Sequence, residues 1–302
     1  MAPGRIAFGP VTLRAADLPV LCALAALLCS AVAFSDRVAG GPALAVRTLA
    51  VAAAYLGAAW LEPRLPRVAR PVLRVAAVVA ALAYLFGAVA PLQLLLRGRW
   101  LDQSVLDLEQ AVFGAQPTLW LERWVRPWLT EWLMFTYVIY LALYPALSAL
   151  FWQRSGEAAV EHYLLALALA NVACDLGYVL YPVAGPIPFM GDRYTVPLQG
   201  WGWTWLAELV RAKAHYVGGT IPSTHCAAAT VMWGAAWRWH RPAFWALAPV
   251  VLSIWLSTVY GRFHYVTDGA TGVLVAIGAL WAAPPLLAGW RRLASRRAGV
   301  VA

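Results

Sequence analysis

The sequence predicts an all-α integral membrane protein, and three observations carry that expectation. Hydrophobic residues make up 62% of the 302-residue chain and charged residues only 12%, a balance far too apolar for an ordinary soluble globule. The apolar residues gather into eight runs of near-spanning length, about 20 residues being enough to cross a bilayer as a helix. The basic residues fall in the connections and chain ends between those runs, so the net charge of +9 sets topology and does not point to a nucleic-acid partner.

In chain order, spans are expected at residues 18–35, 42–61, 72–96, 131–151, 160–181, 223–240, 243–261 and 266–290. The first run follows a basic start but has no small-residue cleavage site, so it reads as a retained span. If the N-terminus is cytoplasmic, that side holds 13 of the 23 basic residues, from Arg5 and Arg14 through Arg64, Arg67, Arg70 and Arg74 to Arg291, Arg292, Arg296 and Arg297. The other ten sit largely in long loops that also carry acids. Both termini therefore read as cytoplasmic. Only Lys213 among the basic residues is a lysine, and with the abundance of Ala and Arg this suggests a high-GC genome and a bacterial cytoplasmic membrane. Cys22, Cys29, Cys174 and Cys226 lie in apolar runs without metal-ligand spacing and are expected as small buried packing residues.

Two long connections share the extracytoplasmic side. Residues 97–130 contain an acidic stretch, Leu101 to Glu109, followed by Trp120, Trp124 and Trp128, with Trp132 just beyond. Residues 182–221 begin too rich in proline to continue a helix and then carry Trp201, Trp203 and Trp205. Short amphipathic helices at the interface are expected in both, roofing a site. The first two spans hold no candidate catalytic residue, which divides the chain into an N-terminal two-helix addition (1–71), a six-helix catalytic core (72–290) and a basic tail (291–302).

The chemistry gathers at the two ends of the helical hairpin from Ile221 to Asp268. One end reads Pro222-Ser223-Thr224-His225, the other Tyr260-Gly261-Arg262-Phe263-His264-Tyr265-Val266-Thr267-Asp268. His264 and Asp268 are four apart, which places a carboxylate where it can fix the imidazole tautomer and stabilise its cation. An imidazole so held can attack phosphorus. His225, from the opposite arm, can protonate the leaving oxygen. Ser223, Thr224 and the backbone N–H groups at the start of the sixth span suit phosphate oxygens, and Arg262 could clamp the same oxygens or serve as a surface anchor. No acidic cluster of metal-ligand character converges there, so neither a metal nor another cofactor is expected.

Pro-Ser-x-His followed by His-x-x-x-Asp resembles the second and third motifs of the type-2 phosphatidic acid phosphatase superfamily. That resemblance implies His264 as nucleophile, Asp268 as its orienting partner, His225 as general acid and a phosphohistidine intermediate. The superfamily's first motif, Lys-x6-Arg-Pro, is absent: registered on Pro186 it places Tyr178 at the lysine and Gly185 at the arginine. Thr258 stands where the third motif carries an arginine. The altered pattern, with Tyr181 to Pro186 in place of the first motif, is similar to the branch containing fungal inositol phosphorylceramide synthase, to which the sphingomyelin synthases are related. It implies a lipid phosphotransferase that moves a phospho-headgroup from a phospholipid donor to a lipid alcohol. The alternative is a lipid or polyprenyl phosphate phosphatase with water as acceptor, and a non-catalytic lipid-binding protein is a third reading.

Asp175 and Tyr181 are candidate supporting residues. Asp175, inside the fifth span with Asn171 one turn earlier, is either functional or part of a buried interhelical hydrogen bond. His162, His215 and His240 fall near span ends or in loops and are expected to be solvated.

Overall fold

The computed structural model describes residues 4–214 and 216–300, without the side chains of 214 and 298–300. A short hairpin, β1 (Ile6–Phe8) and β2 (Val11–Leu13), pairs antiparallel with Ile6 opposite Leu13. The helices that follow are α1 (Asp17–Ala33), α2 (Gly41–Leu61), α3 (Ala69–Ala88), α4 (Asp102–Phe113), α5 (Pro117–Trp120), α6 (Pro127–Ser155), α7 (Glu157–Leu180), α8 (Pro186–Met190), α9 (Gly202–Ala214), α10 (Thr224–Trp239), α11 (Arg241–Tyr260) and α12 (Val266–Val300).

All eight expected spans are helices, although their boundaries move for local reasons. The third stops at Ala88 and gives way to a short 3₁₀ turn, Ala90–Leu92, at Pro91, which lacks the N–H that a continuing helix needs. The fourth begins four residues early at Pro127, because proline suits the first helical position, where no N–H is required. Among the described residues, six of the eight are long and apolar enough to cross a membrane. The other two, α1 with 17 residues and α10 with 16, are shorter. For α10 the reason is its place: it packs against α6, α7, α11 and α12. Its Ala227, Ala228, Ala229, Ala235 and Ala236 are fully buried, small side chains that let helices approach closely. A helix surrounded by protein need not match the hydrocarbon thickness.

Helices α1 and α2 pack on each other and on α3, with α1 also against α7. The bundle has two distinct ends. At one, Ser155 Oγ donates to the Trp239 carbonyl at 2.8 Å and Trp290 Nε1 donates to the Gly4 carbonyl at 2.9 Å. At the other lie the two long loops, filled by α4 and α5 in the first and by α8 and α9 in the second.

Four acids of the first loop and the start of α6 tie that end together. Asp102 accepts from the Ala184 and Gly185 amides at 2.8 and 2.9 Å and from the Tyr265 hydroxyl at 3.0 Å. Glu109 accepts from the Thr267 amide and hydroxyl at 2.8 and 3.1 Å. Glu122 takes the Thr195 and Val196 amides, both at 3.0 Å. Glu131 takes the amides of Trp201 and Trp203 at 2.6 Å and that of Thr204 at 3.1 Å, supplying the acceptors that the first turn of α9 lacks. Each of the four carboxyl groups accepts from two or more donors of the second loop or the start of α12. They pin a loop of irregular backbone onto the entry to α12.

Candidate active site

The turn from α11 to α12 carries His264. Helix α11 ends with the Gly261 amide on the Ser257 carbonyl at 2.8 Å, and the amides of Phe263 and His264 then share the Thr258 carbonyl, each at 3.0 Å. Sharing is possible because Arg262 adopts a left-handed φ of 63°, which costs a non-glycine residue roughly 1–2 kcal/mol. Three contacts on the Arg262 side chain hold it there. Its guanidinium meets Glu122 Oε1 at 3.0 Å and the Val196 carbonyl, and it lies 4.2 Å above the Tyr194 ring.

Asp268 sits in the first turn of α12, fully buried, and its Oδ2 accepts the Tyr265 amide at 3.0 Å. The same oxygen lies 3.4 Å from His264 Nδ1, and that nitrogen is 3.0 Å from the Thr220 carbonyl. Two acceptors face Nδ1, so Nδ1 carries the proton in the neutral ring and the lone pair is left on Nε2.

The opposite arm enters at Ser223, whose amide donates to the Asp268 carbonyl at 2.8 Å. Ser223 Oγ caps α10 by accepting the Cys226 amide at 3.4 Å. The contact requires Gly272 on α12, where an added Cβ would stand 2.4 Å from the Ser223 carbonyl oxygen. His225 lies half-buried with its ring 5.8 Å from that of His264. Tyr137 stacks on it at 4.5 Å and Tyr140 leans against it at 4.6 Å. Tyr137 in turn stacks on Phe263 at 4.2 Å, which spans the gap between the two motifs.

His225, His264, Asp268 and Ser223 are thus brought together at one end of the bundle. The remaining candidates stand as follows. Thr224 is buried with its hydroxyl against that of Tyr178. Gly185 has a φ of +102°, and a Cβ there would meet Thr220 Cγ2 at 2.9 Å. Tyr181 is exposed and bonds Ser104 of α4 at 2.6 Å. Asp175 is buried, and among the described residues neither of its carboxylate oxygens has a hydrogen-bond partner, while Asn171 donates to the Leu167 carbonyl of its own helix at 2.8 Å and its side chain also bonds Tyr144 of α6.

Among the outlying residues, His162, Cys22 and Cys29 differ from expectation. His162 is buried, because Trp239 closes over it and donates to its Nδ1 at 3.3 Å. His240 caps α11, accepting the Ala243 amide at 3.2 Å. His215 lies outside the described residues. All four cysteines are free, but Cys22 and Cys29 face outward from α1 and only Cys174 and Cys226 are buried.

Sequence reasoning missed Asp102, Glu109 and Tyr137. The one sign of the acids was their spacing of seven, which sets both on one face of α4. Burial pushes the carboxyls of Asp102 and Glu109 above their ordinary range, against the donors they accept from, and the neighbouring charge of Asp268 adds to the effect at Glu109.

A family model described as the PAP2 superfamily matches residues 103–282, more than half of the chain. The chain belongs to the PAP2 superfamily. No curated protein and no solved structure matches it. The PAP2 match begins in α4 and ends in α12, taking in both histidine arms, most of the first long loop and all of the second. It assigns the chain to a group of phosphatases and phosphotransferases working in membranes on lipid substrates.

Proposed function

We propose that this PAP2 protein is a lipid phosphotransferase that moves a phospho-headgroup between lipids through a phosphohistidine on His264. The observation that carries the reading is the pairing of His264 Nδ1 with Asp268 and Thr220 while the His225 ring stands 5.8 Å across the same space. Nε2 of His264 attacks phosphorus, and the bond to the donor's leaving oxygen breaks as His225 delivers its proton to that oxygen. In the second half an acceptor hydroxyl gives its proton back to His225, its oxygen attacks the phosphorus, and the bond to Nε2 breaks. Phosphate oxygens would lie on Ser223, the first amides of α10 and Thr224, with Arg262 as the nearest motif cation. Arg262 is paired with Glu122, so its use as a clamp requires that pair to share or open.

Transfer rather than hydrolysis, and the likeness to the inositol phosphorylceramide synthase branch, rest on the altered first motif. Tyr178, at the lysine position, is turned to Thr224, and Gly185, at the arginine position, has no room for a side chain. The proposal places the site on the extracytoplasmic side of a bacterial cytoplasmic membrane with both termini inside, and treats α1 and α2 as an addition to a core from residue 72 to 290.

The test is the purified chain with a labelled phospholipid donor. Transfer predicts a new labelled lipid only after a lipid alcohol such as ceramide or diacylglycerol is added. Release of phosphate or phospho-headgroup into water without any alcohol would make the protein a phosphatase on the same residues. Unchanged activity in His264→Ala would sink both.

A further inference from the structure

At the end of the bundle away from the histidines lies a second polar centre. A cavity of about 370 Å³ opens there, within the size range of small-molecule sites. Five arginines line it: Arg5, Arg14, Arg67, Arg70 and Arg74. The N-termini of α1, α3 and α7 converge on the same space, each adding partial positive charge.

Four carboxylates answer five guanidinium groups. Arg14 reaches Glu157 at 2.6 Å, Glu161 at 3.0 Å and Glu62, Arg5 reaches Glu157 at 2.8 Å, and Arg74 pairs with Asp17. These pairs leave donors over. Among the described residues, Nη2 of Arg74, Nε of Arg14 and Nε of Arg5 are buried without a hydrogen-bond partner, and Arg74 and Arg14 are each only 5% exposed. A buried, charged N–H without an acceptor is costly, so a purely structural ion cluster would have been expected to satisfy them. Arg67 is exposed at the rim with no side-chain partner among the described residues, beside Val68 and Val72, which also face outward.

We propose that this cavity binds an anionic phosphate group, a phosphomonoester headgroup or free phosphate, on the opposite side of the membrane from the histidines. The 24 residues of α7 separate the two places by roughly 35 Å. A phosphate there accepts from the buried Arg74 and Arg14 donors and draws Arg67 inward. The outward-facing valines and Trp152 at the edge favour a lipid, whose chains would run along α3 and α6. This inference stands independently of the chemistry at His264.

The test measures phosphatidic acid retained by the full-length detergent-purified chain in native mass spectrometry, with phosphatidylcholine as comparison. A His225→Ala/His264→Ala background removes the other phosphate site. The expected result is one retained phosphatidic acid, weakened about tenfold for each arginine lost in Arg67→Gln/Arg70→Gln. Arg64→Gln, on the same side but stacked on Trp60 outside the cavity, retains it fully. If inorganic phosphate raises the thermal midpoint of the parent but not of the double variant, and no lipid is retained, the ligand is free phosphate. Should the double variant fail to fold, the single Arg67→Glu change, at an exposed position, carries the test. Retention equal in parent and variants, or no response to either probe, would leave only a structural ion cluster and overturn the proposal.

Discussion

Nδ1 of His264 lies 3.0 Å from the carbonyl oxygen of Thr220, nearer than the 3.4 Å to the carboxylate of Asp268. The main chain therefore shares with Asp268 the task of fixing the tautomer. Asp268→Asn is expected to lower kcat on the order of 10²- to 10⁴-fold with little change in KM, because the imidazolium loses its counter-charge while its orientation survives in part. Steady-state kinetics in reconstituted membranes checks this. A variant as active as the parent would remove Asp268 from the mechanism.

Glu109 supplies a pH signature. Its Oε1 does all the accepting from Thr267, and its Oε2 is buried without a partner among the described residues. Burial raises its pKa, so it lends stability that is fully present below the usual carboxylate range and is lost as pH rises through the raised value. Glu109→Gln keeps the accepting oxygen and removes the charge. Its thermal midpoint should exceed the parent's at pH 7 to 8, and the two curves should meet near pH 4, where the parent's carboxyl is itself protonated. A variant less stable than the parent across this range would show that the charge contributes to stability.

Asp102 gives the opposite result on the same helix. Its two oxygens each accept a separate buried amide, at Ala184 and at Gly185. An amide side chain turns one acceptor into a donor facing a donor, so Asp102→Asn should destabilise by about 1–3 kcal/mol. Chemical or thermal unfolding in detergent measures it, and a neutral outcome would mean the second loop is held by other contacts.

Arg262 and Glu122 separate clamping from tethering. If Arg262 only ties the turn to the loop, then Arg262→Gln, Glu122→Gln and the double variant lose the same activity. If it also meets phosphate, Arg262→Gln falls below Glu122→Gln in kcat/KM by about tenfold or more.

Gly185 tests why the family's arginine is missing. Gly185→Ala puts an L side chain on a backbone with φ +102° and presses its methyl on Thr220, whose carbonyl holds His264. Activity and thermal midpoint should fall together, and Gly185→Arg should not create a clamp. A gain of phosphatase activity in Gly185→Arg would show that the space can open.

The sequence by itself determined the eight helices, because runs of about 20 apolar residues have no other stable form in a bilayer. It also determined that His225 and His264 share one end of the bundle, since two apolar runs of similar length must return the chain to the side it left. What it could not hold were contacts between residues far apart in number. Glu109 meets Thr267, Glu122 meets Arg262 and Tyr137 stacks between His225 and Phe263 only once the helices have packed. The burial of His162 behind Trp239 and the gathering of five arginines around one cavity follow from the same cause. Hydropathy is a local property, whereas pairing and burial belong to neighbours that the tertiary structure alone supplies.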